Sequence, residues 1–156
     1  MSLSKLISEK LEIGKLYEDL FVSLVDGKWI RATPEQDMNE HWDVMSKKTG
    51  AKVDIKGSKS DRYVCLEFKN VNGGTGWMMG EADFIAFWLF DRFYVVDRDE
   101  LLSWSMEVVP NQPPISGNIK FNDVDFYVPF RRDGRKDIIV KVRPMDIMKM
   151  ARRIVI

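Results

Sequence analysis

A mixed α/β domain is the fold class this sequence predicts: a central mixed sheet flanked by helices, followed by a C-terminal β-hairpin and a last helix. Three observations carry that expectation. Apolar residues recur at helical spacing through the first 26 residues. Three consecutive runs between Glu40 and Asn70 have strand character and are separated by polar or glycine turns. An aromatic stretch from Glu81 to Phe90 is open to a strand or a short-helix reading; with Phe93-Tyr94-Val95-Val96 after it, two strands joined by a tight turn on the same sheet are preferred. At 156 residues the chain is long enough to bury a core and short enough to be one domain, 1–156.

Taken in order, Ser2 to Ile13 spaces Leu3, Leu6, Ile7 and Leu11 as one face of a short helix. A second, stronger helix runs from Lys15 to Asp26, with a stripe of Leu16, Tyr17, Leu20, Phe21, Leu24 and Val25 and a stop at Gly27. Glu18 lies at the border of that stripe, where an acid is either a solvated rim residue or a ligand reaching inward. Lys28 to Ala32 is a candidate strand, and a polar loop passes through Pro34 and Asn39. Next come the run around Trp42-Asp43-Val44, the run Val53-Asp54-Ile55-Lys56 closed by Gly57, and the run Tyr63 to Lys69. The loop Asn72-Gly73-Gly74-Thr75-Gly76 reads as a turn, because it lacks the lysine and hydroxyl residue of a phosphate-cradling loop. Asp99 is placed to cap a helix from Glu100 to about Val108. Asp133-Gly134 between Phe126-Tyr127-Val128 and Ile138–Val142 signals a hairpin. Pro144 opens a final helix over Met145 to Arg153.

Composition excludes little. The chain has 24 basic and 24 acidic residues, so its net charge gives no argument for nucleic acid and none against it. The single cysteine, Cys65, cannot close an internal disulfide and reads as a small buried apolar residue. The one histidine, His41, cannot build a zinc site with it. The greasiest run, Ala82 to Phe90, is too short to span a bilayer, and Met1 to Gly14 lacks the apolar core of a signal peptide. The expectation is a soluble cytoplasmic protein.

Chemistry is concentrated between Glu40 and Asn70. Strand side chains alternate, so Asp54 and Lys56 share one face, as do Glu67 and Lys69. Neighbouring strands lie about 4.7–4.9 Å apart, which lets Asp43 on one approach Asp54 on the next. Two carboxylates and a lysine gathered this way can hold Mg²⁺ and a water beside a phosphate.

The order of these motifs resembles the PD-(D/E)XK nuclease superfamily: a helix with Glu18, a strand with Asp43, the acid-x-lysine Asp54-Ile55-Lys56, a third strand, then the pair around Ala82–Phe87 and Phe93–Val96. The resemblance covers about residues 14–102, leaving a C-terminal extension of about 118–156. It implies a restriction-endonuclease-like core and a deoxyribonuclease that hydrolyses phosphodiester bonds with Mg²⁺ or Mn²⁺. Asp43, Asp54, the Ile55 carbonyl and Glu18 would hold the metal, and Lys56 would orient the attacking water. No proline precedes Asp43, and the second acid is Asp54 where glutamate is commoner. A second register, Asp54 with Glu67-Phe68-Lys69, is open; the first is preferred because it leaves one strand between the motif and the later elements.

DNA is the implied partner, with Lys47, Lys48, Lys52, Lys59 and Arg62 on the turns between strands as backbone contacts and Trp77 as a base-stacking candidate. Two other readings compete. One is a nuclease-like fold without activity, kept as a DNA- or protein-binding assembly module, for which a homodimer or a protein partner and exposed aromatics near Trp77 and Trp104 are expected. The other is a nucleotide-binding protein using the Gly73–Gly76 loop.

Overall fold

The computed structural model describes residues 2–57 and 60–156, without the side chains of residues 3, 6–8 and 11. It confirms the mixed α/β class. The elements run α1 (Leu3–Leu24), β1 (Trp29–Arg31), α2 (Pro34–Glu40), β2 (Val44–Ser46), β3 (Lys52–Lys56), β4 (Val64–Lys69), a 3₁₀ turn (Trp77–Met79), β5 (Phe84–Leu89) and β6 (Arg92–Asp97). They continue with α3 (Arg98–Val108), a second 3₁₀ turn (Phe121–Asp123), β7 (Ile138–Val142), α4 (Pro144–Met150) and β8 (Arg153–Val155).

Six strands form one sheet in the order β1-β2-β3-β5-β6-β8, and β4 and β7 form a separate antiparallel ribbon. Among the strands of the described residues only β3 and β5 pair in parallel, with Asp54 beside Ile85 and Lys56 beside Phe87. On one face of the sheet α1 lays Phe21 and Val25 over Val53, Ile55, Ala86 and Phe93. On the other face, Ile85, Phe87, Leu89 and Val96 meet Leu66 of β4, Val140 and Val142 of β7, Leu101 of α3 and Ile147 of α4. The central strand β3 is therefore covered on both sides. Its burial is continuous over Val53, Asp54 and Ile55.

Several expectations are corrected. The two N-terminal helices are one, because Gly14 sits within α1; a helix tolerates an interior glycine at a cost of about 1 kcal/mol. The face expected from Leu3, Leu6, Ile7 and Leu11 lies outside the described side chains. The supposed loop through Pro34 and Asn39 is α2. Thr33 caps it, its hydroxyl accepting from the Gln36 N–H while the Gln36 side chain accepts from the Thr33 N–H, and Pro34 occupies the first turn. Asp97, not Asp99, caps α3, its side chain accepting from the Glu100 N–H. The third run, β4, does not lie beside β3 at all but pairs with β7.

The C-terminal hairpin is reduced to one bridge, Phe130 with Ile139; Phe126–Val128 is not a strand, and Tyr127 takes a positive φ of 65°. The last helix stops at Met150, and Arg153–Val155 returns to the sheet edge against β6. In this extension Lys141 is 4% exposed, donates to the Asn122 carbonyl at 3.3 Å, and lies 5.0–5.5 Å from the rings of Tyr63, Phe121 and Phe126. The aromatic faces partly replace the water this ammonium gives up.

The glycine loop is a packed turn, as expected. The Asn70 carboxamide oxygen accepts from the Asn72 and Gly74 N–H groups, and a Cβ on Gly76 would come within 2.5 Å of the Glu67 carbonyl oxygen. The β5–β6 turn uses Phe90 and Asp91, both at positive φ (50° and 64°), which is the twist a two-residue hairpin requires. Among the described residues no helix is long and apolar enough to cross a membrane.

Candidate functional site

Asp43 stands one residue before β2, and Val44 pairs with Val53, so the next step outward brings Asp43 opposite Asp54. Here β2 ends early: the chain arrives from α2 through His41, whose left-handed φ of 58° closes that helix. The Asp43 carboxylate replaces the missing backbone partner, its Oδ2 accepting from the Ile55 N–H at 2.7 Å. The N–H and C=O of one strand residue point the same way, so the Ile55 carbonyl is aimed at the same gap.

Asp54 is only 2% exposed. Its Oδ1 lies 3.1 Å from the Lys56 ammonium, and its Oδ2 is buried with no hydrogen-bond partner among the described residues. Lys56 is partly open, its side chain 32% exposed, and its ammonium sits 5.0 Å over the Trp77 ring. Burial lowers the lysine's affinity for its proton, but Asp54 and Asp43 outweigh this and its pKa is raised.

Two further acids converge. A Cβ on Gly57 would run into the Tyr17 ring, so the glycine that closes β3 is what admits α1 this close to the strand end. Glu18, next on α1, is brought up to Asp43. Burial, and then Asp43, push its pKa up to about 7, against a pull from Arg31, whose guanidinium stands 3.4 Å away. Asp37 comes from α2; burial raises its pKa, Asp43 adds to the rise, and Lys56 opposes it. Burial also pushes Asp54 well above the usual carboxylate range, with Lys56 pulling down and Asp43 pushing up. Crowded carboxyls of this kind hold protons until a cation relieves them.

The expected residues Glu18, Asp43, Asp54 and Lys56 are thus brought together, with Glu18 partly exposed between Asp43 and Arg31. Asp37 was missed. Thr33-Pro34-Glu35-Gln36 carries its signal, since a hydroxyl residue followed three places on by glutamine, with an intervening proline, announces a helix start.

The remaining expectations fare differently from one another. Trp77 is 8% exposed, turned inward by its 3₁₀ turn against Phe87, with one ring face beneath the Lys56 ammonium; it has no free face for a base. Trp104 is half-buried and packs on Tyr127. Lys47 and Lys48 lie on the exposed β2–β3 turn, three and four residues beyond Val44, at the far end of the hairpin from the carboxylates. Lys52 is not on a turn but opens β3, over the Trp42 ring and 4.0 Å from Glu40. Arg62 is exposed, and Lys59 lies outside the described residues. Glu67 is half-buried within the field of Lys56, whereas Lys69 is exposed beyond a bulge in β4. His41 bonds the Thr75 carbonyl at 2.8 Å, tying α2 to the glycine loop. Cys65 has its pKa pushed up to about 12, chiefly by burial, and holds its thiol proton.

For a divalent cation the donor chemistry fits: carboxylate and carbonyl oxygens, one of them orphaned and buried. Among the described residues, however, no three His, Cys, Asp or Glu side chains are gathered as a ready coordination group. No protein-family model, curated protein or solved structure matches the chain.

Proposed function

We propose that this chain is a metal-dependent phosphodiester hydrolase acting on DNA. The observation that carries the reading is the meeting of Asp43 and Asp54 from adjacent strands, with Lys56 3.1 Å from an Asp54 whose other oxygen has no partner among the described residues. DNA as the substrate rests on the resemblance in motif order.

Asp43 and Asp54, with the Ile55 carbonyl and Glu18, are the residues that would hold Mg²⁺ or Mn²⁺. Such an ion supplies an acidified water and neutralises charge developing on the phosphate. Lys56, held between Asp54 and the Trp77 face, presents its remaining N–H donors outward, where they orient a water or stabilise the phosphate oxygens. Burial and then Asp43 raise the Glu18 pKa to about 7, a penalty that a bound cation would relieve.

The test is plasmid nicking with and without Mg²⁺ or Mn²⁺. Cleavage that requires the ion and vanishes in Asp54→Ala is expected; metal-independent cleavage, or full activity in that variant, removes the reading. Lys56→Ala is expected to lose turnover more than metal affinity, and Asp54→Ala to lose both.

A second reading has its own support. Asp54 is already paired with Lys56, and among the described residues no three-ligand group is preformed, which suits a binding module that has kept the fold without the reaction. That module retains its melting temperature and its partner but cuts no DNA under any metal.

A further inference from the structure

The far end of the β2–β3 hairpin, away from the carboxylates, borders a half-open cavity of about 370 Å³. It lies between the last turns of α1, the turn after β2, and the edge strand β8. Phe21, Trp29, Val53, Phe84, Val95 and Val155 form its walls. Ligand pockets begin near this size.

The mouth is charged. Lys48 and Arg153 are both exposed there, and among the described residues neither side chain is in an ion pair. Arg152 is already taken by Glu100 at 2.8 Å. Asp26 is the one acid among the lining residues, so positive charge is in excess at the rim. Ser46 and Thr49 are the uncharged hydroxyl residues of the lining.

We propose that this cavity binds a small amphipathic anion: a single acidic head held at Lys48 and Arg153, on an aliphatic or aromatic body that fills the apolar chamber. A cationic amphiphile meets two like charges at the entrance. A polyhydroxylated or multiply charged ligand finds too few polar partners inside. A neutral apolar compound fills the chamber but leaves both cations unanswered. The site is separate from the carboxylate cluster, so it stands whether or not the chain cuts DNA.

The test uses the full chain and 8-anilinonaphthalene-1-sulfonate, an aryl body with one anionic head, followed by its fluorescence. Saturable one-to-one binding is expected, displaced by decanoate, with decanol and decyltrimethylammonium weaker by at least about tenfold. The exposed double variant Lys48→Glu with Arg153→Glu is expected to melt at the wild-type temperature and to weaken dye and decanoate by a similar factor. Ala51→Trp, which fills the chamber from its lining, is expected to abolish both. Equal displacement by decyltrimethylammonium, or dye binding unchanged by charge reversal, overturns the proposal. So does charge-dependent sedimentation with phosphatidylglycerol vesicles in the absence of decanoate binding, which would assign the two cations to a lipid surface.

Discussion

The chain carries the same three-residue pattern on two strands, and the two copies have different fates. Asp54-Ile55-Lys56 lies on β3, hydrogen-bonded on both sides and buried on both faces; Glu67-Phe68-Lys69 lies on β4, in a two-stranded ribbon. On β3 the pleat is regular, so the acid and the lysine share a face and form a 3.1 Å pair. On β4 the register shifts between Glu67 and Lys69, and at this bulge the Gly76 N–H donates to the Phe68 carbonyl at 3.0 Å. Residues two apart share a face only where no extra residue intervenes. The spacing is therefore a statement about chemistry only in the uninterrupted strand.

The largest effect that would break this contrast is on turnover. Lys56→Ala is expected to reduce Mg²⁺-dependent cleavage by about 10²–10⁴-fold, and Lys69→Ala to leave it within about twofold; equal losses would restore the second register. Next is stability. Lys56→Met leaves the Asp54 carboxylate buried beside Asp43 with its salt-bridge partner gone and is expected to cost about 3–5 kcal/mol in urea unfolding, against about 0.5 kcal/mol or less for Lys69→Met. Gly76→Ala tests the close approach at the bulge; with a Cβ driven towards the Glu67 carbonyl, a loss of about 1–3 kcal/mol is expected.

A pH series reports on the crowding at the β3 copy. The Glu18 pKa of about 7 lies above its ordinary value of 4.5, so the folded state binds the extra proton between them. Its contribution is full below about pH 4.5 and is lost as pH rises through about 7. Melting temperature is expected to fall over that window, and Glu18→Gln to flatten the fall. Mg²⁺ should restore more stability at pH 7 than at pH 5, since at the lower pH it must displace protons; a metal response independent of pH would detach Glu18 from the ion. The smallest effect is expected at Glu67, where Glu67→Gln changes the field at Lys56 and shifts the pH–rate profile slightly.

Much of this could be read from the residues, for identifiable reasons. The Asp43–Asp54 meeting follows from two short apolar runs around a tight turn, a local arrangement whose register the hydrophobic pattern fixes. The β5–β6 pair is likewise local. What failed is non-local or masked by composition. Nothing near Val64–Lys69 announces that its partner is Ile138–Val142, some seventy residues on. Arg153–Val155 is too short to carry a period and becomes a strand only by lying along β6. Polar α2 was legible only through its cap, and with it Asp37. Trp77 looked available beside a glycine loop, yet a three-residue turn was enough to send it into the core.

Because one oxygen of Asp43 substitutes for a main-chain acceptor towards Ile55, that side chain has only its second oxygen to offer a ligand. It can grip an ion by one atom and not by two without unzipping the end of β3. An asparagine there would still close the ladder through its amide oxygen, while an alanine would remove ladder and ligand at once, so the milder replacement separates scaffolding from chemistry at this position.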